Sequence, residues 1–334
     1  MDSLTQIVLG AGVGEAVLGK KVGNKAILWG AIAGTIPDLD VLANFFTDEL
    51  TATEMHRGFS HSILFAILMA PLLGWLASRI HKKANLDWKP WSWLMFWSLV
   101  THPLLDAHTN WGTTLLWPLD YKFAYNNIFI VDPLYTLPFM VCVIWAMTLK
   151  RDNPKRSRIN RLGLIMSTSY MALTIVSKGI GYYHFTKSLD NQGIAYERMM
   201  TNATVFNSIL WNATVETEDE YLLGYYSLFD GSGEVEFMHF DKNHNALGDM
   251  ADEDIVKRLA KISRGWYIVM KDGDKAYIND MRFGQMGISD DPDSFPFSHE
   301  LWYEDGVLHS KQRERGREDA GSKLGAMIRR VAGK

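Results

Sequence analysis

The chain has 334 residues, roughly two domains' worth of material, and its 34 Lys+Arg against 38 Asp+Glu leave a net charge of −4. That balance gives no electrostatic reason to expect a nucleic-acid binder, and 47% hydrophobic residues exclude a disordered chain. The single cysteine, Cys142, excludes an intrachain disulfide and any Cys-based zinc site. A mean hydropathy of −0.08 averages two unlike halves: long apolar runs up to about Tyr183, then a polar, mixed sequence from about Asp190.

In chain order, residues 4–18 read as a short helix or half-span, too short to cross a bilayer upright and without the cationic start of a cleaved signal. Residues 25–46 are apolar but broken by Pro37-Asp38-Leu39-Asp40. Residues 59–78, 128–149 and 162–183 each meet the length of a membrane helix, about 20 mostly apolar residues, and 91–107 is a further candidate interrupted by Pro103. Trp and Tyr near the ends of these runs fit interfacial anchors. A large soluble helical protein is the alternative. Basic clusters follow Ser78 (Arg79, Lys82, Lys83, Lys89) and Leu149 (Lys150, Arg151, Lys155, Arg156, Arg158, Arg161), and a smaller one, Lys20, Lys21 and Lys25, precedes the second segment. Placed in the cytoplasm, they let five spans alternate without contradiction, with 47–58, 109–127 and everything after 183 facing outward.

Beyond residue 190, strands are expected over 205–217, 221–229 and 234–240, the last two separated by the turn Asp230-Gly231-Ser232-Gly233. A hairpin joins 266–270 to 276–278 through Lys271-Asp272-Gly273-Asp274-Lys275. One amphipathic helix lies before it, with Asp252 as N-cap, Ile255, Leu259 and Ile262 on a stripe and Gly265 past the end. No catalytic motif stands out here. The expected architecture is an all-α polytopic membrane helical bundle over 1–185, a small soluble α+β domain over 190–310, and a basic, solvated tail over 311–334.

Ionisable groups in apolar segments cost several kcal/mol unless paired or ligated. Here they fall in three clusters: Pro37-Asp38-Leu39-Asp40, His56-Arg57-Gly58-Phe59-Ser60-His61-Ser62, and His102-Pro103-Leu104-Leu105-Asp106. His102 and Asp106 sit about 40° apart on a helix and reach one point. His56 and His61 would be about 140° apart on a regular helix, so Gly58 is expected to leave His56 in a loop and His61 in the first helical turn. Asp38 and Asp40 would lie about 200° apart unless Pro37 breaks the helix. All three clusters fall at similar depth on the outward side. Three His and three Asp together suit zinc, manganese or iron; because zinc takes about four ligands, six side chains point to two ions. Arg57 is placed to hold a phosphate oxygen. Asp132, before Pro133, reads as a helix N-terminal acid.

These blocks, with the opening Met1-Asp2-Ser3-Leu4-Thr5, resemble the YdjM-like family of membrane-bound, predicted metal-dependent hydrolases over roughly residues 1–149. The resemblance implies a bacterial or archaeal inner-membrane protein, distantly similar to the all-helical zinc phospholipase C and P1 nuclease fold. It implies Asp38, Asp40, His56, His61, His102 and Asp106 as ligands of one or two divalent ions, most simply Zn2+. Many members have a His after the opening Asp-x-x-Thr; here Gln6 stands there, a weaker ligand that either lowers the ion count or contacts a ligand or water.

The resulting expectation is a multi-pass metallohydrolase of the inner membrane, its C-terminal domain outside, cleaving a phosphoester in a lipid or lipid-linked substrate by metal-activated water. Asp38 or Asp40 would bridge or act as base, and Arg57 would neutralise the transition state. An ion or proton transporter using the same Asp and His residues, and a non-catalytic membrane protein with a structural metal, are the alternatives.

Overall fold

The structure is a computed structural model that describes residues 1–230, 234–285, 287–289, 291–313 and 320–333. It divides into two compact units, Met1–Thr174 and Ile175–Lys334.

The first unit is helical. Helix α1 (Ser3–Val22) is capped by Asp2, whose carboxylate accepts from the Thr5 amide, and runs longer than the 4–18 stretch. It turns through Gly23, at φ 65°, into α2 (Asn24–Thr35). The two helices meet backbone to backbone. A Cβ on Gly30 would stand 2.2 Å from the Gly10 carbonyl oxygen, and one on Gly34 2.7 Å from that of Gln6. Gly10/Gly14 and Gly30/Gly34 are thus two facing Gly-x-x-x-Gly pairs, the small-residue packing that lets membrane helices approach closely. After α2 the chain bends by 46° into a 3-10 helix, Pro37–Phe45. Short α3 (Glu49–Met55) and a 3-10 turn, Phe59–His61, lead into α4 (Ile63–Ile80), capped by Ser62. Helices α5 (Trp88–Asp106) and α6 (Pro133–Thr148) complete the unit, and α7 (Pro154–Asn191) enters it from its N-terminal end.

Two of these helices, α4 and α7, are long and apolar enough to cross a membrane among the described residues, and the bent pair α2 plus Pro37–Phe45 makes a third if it counts as one span. The apolar run 128–149 is helical only from Pro133, because Asp132 caps α6 through the amides of Leu134 and Tyr135. Its 16 residues reach about 24 Å, short of a bilayer core of about 30 Å. Asp132 therefore does act as a helix N-terminal acid, with Tyr170 donating to its second oxygen at 2.8 Å. A buried bidentate pair, Arg156 to Glu15 at 2.5–2.7 Å, ties the start of α7 to α1. It satisfies two charges that would otherwise be costly to bury.

The second unit carries two four-stranded antiparallel sheets. The first comprises β1 (Arg198–Ala203), β2 (Leu210–Glu216), β3 (Glu220–Ser227) and β4 (Phe237–Asp241). Helix α8 (Asp254–Ile262) follows, then the second sheet: β5 (Tyr267–Asp272), β6 (Lys275–Asp280), β7 (Ser298–Glu304) and β8 (Val307–Gln312). Helix α9 (Ala320–Val331) comes last. The hairpin expected around Gly273 is present, with Asp272 paired to Lys275 across it. Strands β1, β7 and β8 were not anticipated; their polar residues blur the period-2 pattern. The stripe of α8 is also shifted: Val256 and Leu259 are its buried residues, and Glu253, whose side chain makes no capping bond, takes the cap position in place of Asp252. Residues 231–233 of the expected turn and 314–319 of the expected solvated tail lie outside the described residues; elsewhere the tail is structured, with β8 running to Gln312 and Met327 of α9 buried in the core of this unit. Arg198 and Glu216, paired across β1 and β2, form an ion pair; Arg198 also covers the Trp266 ring at 4.1 Å, fastening the sheet to the start of β5.

Candidate metal centre

Each candidate side chain comes from a segment end, where local sequence decides its direction. Pro37, at the first position of the 3-10 helix, breaks α2 and turns Asp38 and Asp40 inward. His56 ends α3 and His61 ends the short turn before α4, so the two are separated by a break, as Gly58 had suggested. His102 and Asp106 occupy the last turn of α5, one above the other.

Four of these residues converge. Asp38, His61, His102 and Asp106 each offer one ligand atom, all within 4.8 Å of one another. The two His Nε2 atoms are 3.2 Å apart. Asp38 Oδ1 lies 3.3 Å from one and 3.4 Å from the other, and Asp106 Oδ2 lies 3.5 Å from both. A tetrahedral zinc with bonds of about 2.0–2.1 Å needs ligand separations of about 3.3–3.4 Å. Five edges of the cage meet that requirement within 0.2 Å.

Hydrogen bonding fixes which nitrogens face the cage. His102 Nδ1 is 2.6 Å from the Gly34 carbonyl, which only accepts, so Nδ1 carries the proton and Nε2 presents a lone pair. His61 Nδ1 faces Asp40 Oδ2 at 3.3 Å and Ser60 Oγ at 3.0 Å, which orients that ring likewise. A carboxylate or carbonyl behind each imidazole is the usual outer support of a metal-binding His. Two nitrogen and two oxygen lone pairs thus aim at one point. Asp106 Oδ2 is buried there, 3.5 Å from both imidazoles and 3.2 Å from the Arg57 guanidinium. Two carboxylates and two imidazoles gathered this closely in a largely buried site fit a cation.

Asp40 and His56 stand outside the cage. Asp40 receives the Arg57 amide at 2.8 Å and the Ser60 hydroxyl at 3.2 Å, and its other oxygen is 3.1 Å from His56 Nδ1. The His56 ring centroid is 6.0 Å from that of His61. The six side chains therefore form an inner four and an outer pair, an arrangement sized for one ion. Arg57 is buried, with its Nε 3.2 Å from Asp106 Oδ2 and an Nη on Thr109 at 2.8 Å. It faces a ligand carboxylate. Its backbone, at φ 59°, is in the left-handed region that non-glycine residues rarely adopt, held by the Asp40 bond and by the Thr114 amide.

Gln6 makes the ligand contact its position allows: Nε2 donates to Asp106 Oδ1 at 2.9 Å and to the His102 carbonyl at 3.3 Å. The Met1 amino group pairs with the same Asp106 oxygen. Three participants were not singled out from sequence: the Gly34 carbonyl, Ser60 and Thr109. The first was accessible through the Gly30-x-x-x-Gly34 spacing; the others carry no signal beyond adjacency to a histidine or an aspartate.

Exposure is uneven. The side chains of His61, His102 and Asp106 are fully buried, whereas Asp38 is 25% exposed, so solvent reaches the cage from the Asp38 side.

The profile of the YdjM inner membrane protein family matches residues 1–183. Inner membrane protein YbcI of Escherichia coli (strain K12) is 33% identical over 141 residues, 40% of this chain and 78% of that protein. No solved structure matches the chain. With more than half its length and all four cage residues inside the family match, the chain belongs to the YdjM inner membrane protein family.

Proposed function

We propose that the chain is a multi-pass inner-membrane metallohydrolase that cleaves a phosphoester in a lipid or lipid-linked substrate, with its C-terminal unit on the periplasmic side. The observation that carries this reading is the convergence of Asp38, His61, His102 and Asp106 on one point. A two-His, two-carboxylate set suits Zn2+ and its neighbours, whereas purely structural zinc sites are usually thiolate-rich. The basic loops at 79–89 and 150–161 support the orientation.

When bound, a divalent ion supplies Lewis acidity to a phosphoryl oxygen and a more acidic water. The chain's own residues do the rest. Asp40, Ser60 and the Gly34 carbonyl keep both imidazoles in the tautomer that leaves Nε2 as a ligand. Asp38, the exposed carboxylate, is the one placed to accept a proton from an incoming water. Arg57, Gln6 and Thr109 hold the cluster's charge and geometry on its buried side. The overall reaction adds a water oxygen to phosphorus, breaks the phosphorus–oxygen ester bond, and passes the proton to the leaving alkoxide.

A structural metal is the second reading, favoured by the completeness of four side-chain ligands. Metal analysis and turnover on the purified full chain separate the two. The hydrolase predicts about one zinc per chain, lost in His61→Ala together with phosphoester turnover. Metal retained with no turnover on any phosphoester supports the structural role, and a metal-free intact protein overturns both.

A further inference from the structure

Beside the cage lies a cleft of about 600 Å³ that the proposed chemistry has not yet used, within the size range of ligand sites. Asp40 and Ser60, which hold His61, are among its lining residues. Leu39, Ala43, Phe59, Trp117 and Leu119 make an apolar wall. Glu54, Asp120 and Lys122 supply the remaining charges, so with Asp40 the lining carries three carboxylates against one amine. The cleft is continuous with the 3-10 helix of the bent span, whose Phe45 and adjoining Phe46 are 79% and 87% exposed. In water such a surface would be unfavourable; against acyl chains it is not.

We propose that this cleft binds a phospholipid with an amine-bearing headgroup. One acyl chain lies along the apolar lining, the phosphate turns toward the Lys122 amine and away from Asp40, and the ammonium sits by Glu54 and Asp120. The net negative lining disfavours anionic headgroups, since like charges at close range are repelled. The assignment rests on the hydrolase reading for the fate of the lipid, but not for its binding.

Photo-crosslinking tests it. The full chain in maltoside detergent is irradiated with phosphatidylethanolamine, or with phosphatidylglycerol, carrying a diazirine on one acyl chain, and labelled peptides are mapped. The expected result is several-fold stronger labelling by the ethanolamine lipid of peptides containing Leu39, Phe59 or Leu119. Charge reversal at two exposed sites, Glu54→Lys with Asp120→Lys, should erase or invert that preference, and Leu119→Asp should remove cleft labelling by both lipids. Each variant is compared at an unchanged thermal midpoint; Glu54→Gln with Asp120→Asn serves if the reversal fails to fold. Equal labelling by both headgroups, labelling confined to the α4 face, or a preference indifferent to the charge changes overturns the proposal. Repeating the experiment in His61→Ala separates the two ideas. Cleft labelling there, with no phosphoester turned over by the wild type, sinks the hydrolase and leaves the lipid site; turnover of phosphoesters without cleft labelling does the reverse.

Discussion

His102 donates from Nδ1 to the carbonyl oxygen of Gly34 at 2.6 Å, so the orientation of a candidate metal ligand on α5 is set by a backbone atom at the end of α2. That carbonyl is where it is because α1 and α2 touch through glycines. A side chain at Gly30 would meet the Gly10 carbonyl at 2.2 Å, and backbone must give way. Gly30→Val is therefore expected to part the two helices and loosen His102, costing about 1–3 kcal/mol or more, as overpacking does. Zinc affinity should drop along with the thermal midpoint. Metal binding unchanged in a protein that has lost stability would mean that the helix contact does not position the ligand.

Asp40 offers a cleaner separation of roles. It touches His61 Nδ1 but not the cage, and its other bonds go to His56, Ser60 and the Arg57 amide. Asp40→Asn should weaken zinc binding by about 10–100-fold, the usual effect of removing an outer partner. Asp106→Asn, which alters a ligand oxygen held by buried Arg57, should abolish it. Competition titration with a zinc chelator on the two variants tests the ranking. Equal losses would place Asp40 in the first coordination sphere.

The chemistry of the site was more legible in the sequence than its assembly. Imidazole and carboxylate in apolar segments demand partners, and the i,i+4 spacing of His102 and Asp106 already put two on one face. Which of six would be inner was not readable, because Asp38 and Asp40 are directed by a 46° bend and a 3-10 helix whose side-chain directions a regular helix does not foretell. That Arg57 would lie against Asp106, from a left-handed backbone position, was not readable either. In the second unit the Gly273 hairpin was visible from turn chemistry, while β7 and β8, with His299, Glu300, His309 and Lys311 among their residues, hid behind polar side chains.

Gln6 is the position where this chain departs from the pattern it resembles. Its amide nitrogen donates to Asp106 Oδ1, leaving its own oxygen buried without a partner. Gln6→His replaces a weak oxygen donor with an imidazole beside a ligand carboxylate. Zinc affinity should rise by about tenfold, on the order of 1.4 kcal/mol, or a second equivalent should bind. Isothermal titration of the metal-stripped chain reads both, and unchanged affinity and stoichiometry would show that this side chain lies beyond reach of the ion.

Glu216 is expected to give the second unit a pH dependence. Burial alone would raise its pKa, but hydrogen bonds from Arg198 and Lys242 outweigh that and hold it below the ordinary value of 4.5. A carboxylate depressed on folding contributes stability that is complete above its unfolded pKa and is lost as pH falls through the folded one. The β1–β2 edge should therefore stay firm at neutral pH and loosen below about pH 4.5. Since Arg198 also covers Trp266 and bonds the Arg264 and Gly265 carbonyls, the loosening should spread to the start of β5. Hydrogen exchange on the full chain, followed from neutral pH downward after correction for intrinsic rates, should show faster opening of the Arg198–Ala203 and Leu210–Glu216 amides in acid. In Glu216→Gln the neutral-pH protection should already be lower and its acid dependence flatter, and parallel profiles for the two proteins would remove Glu216 as the titrating group.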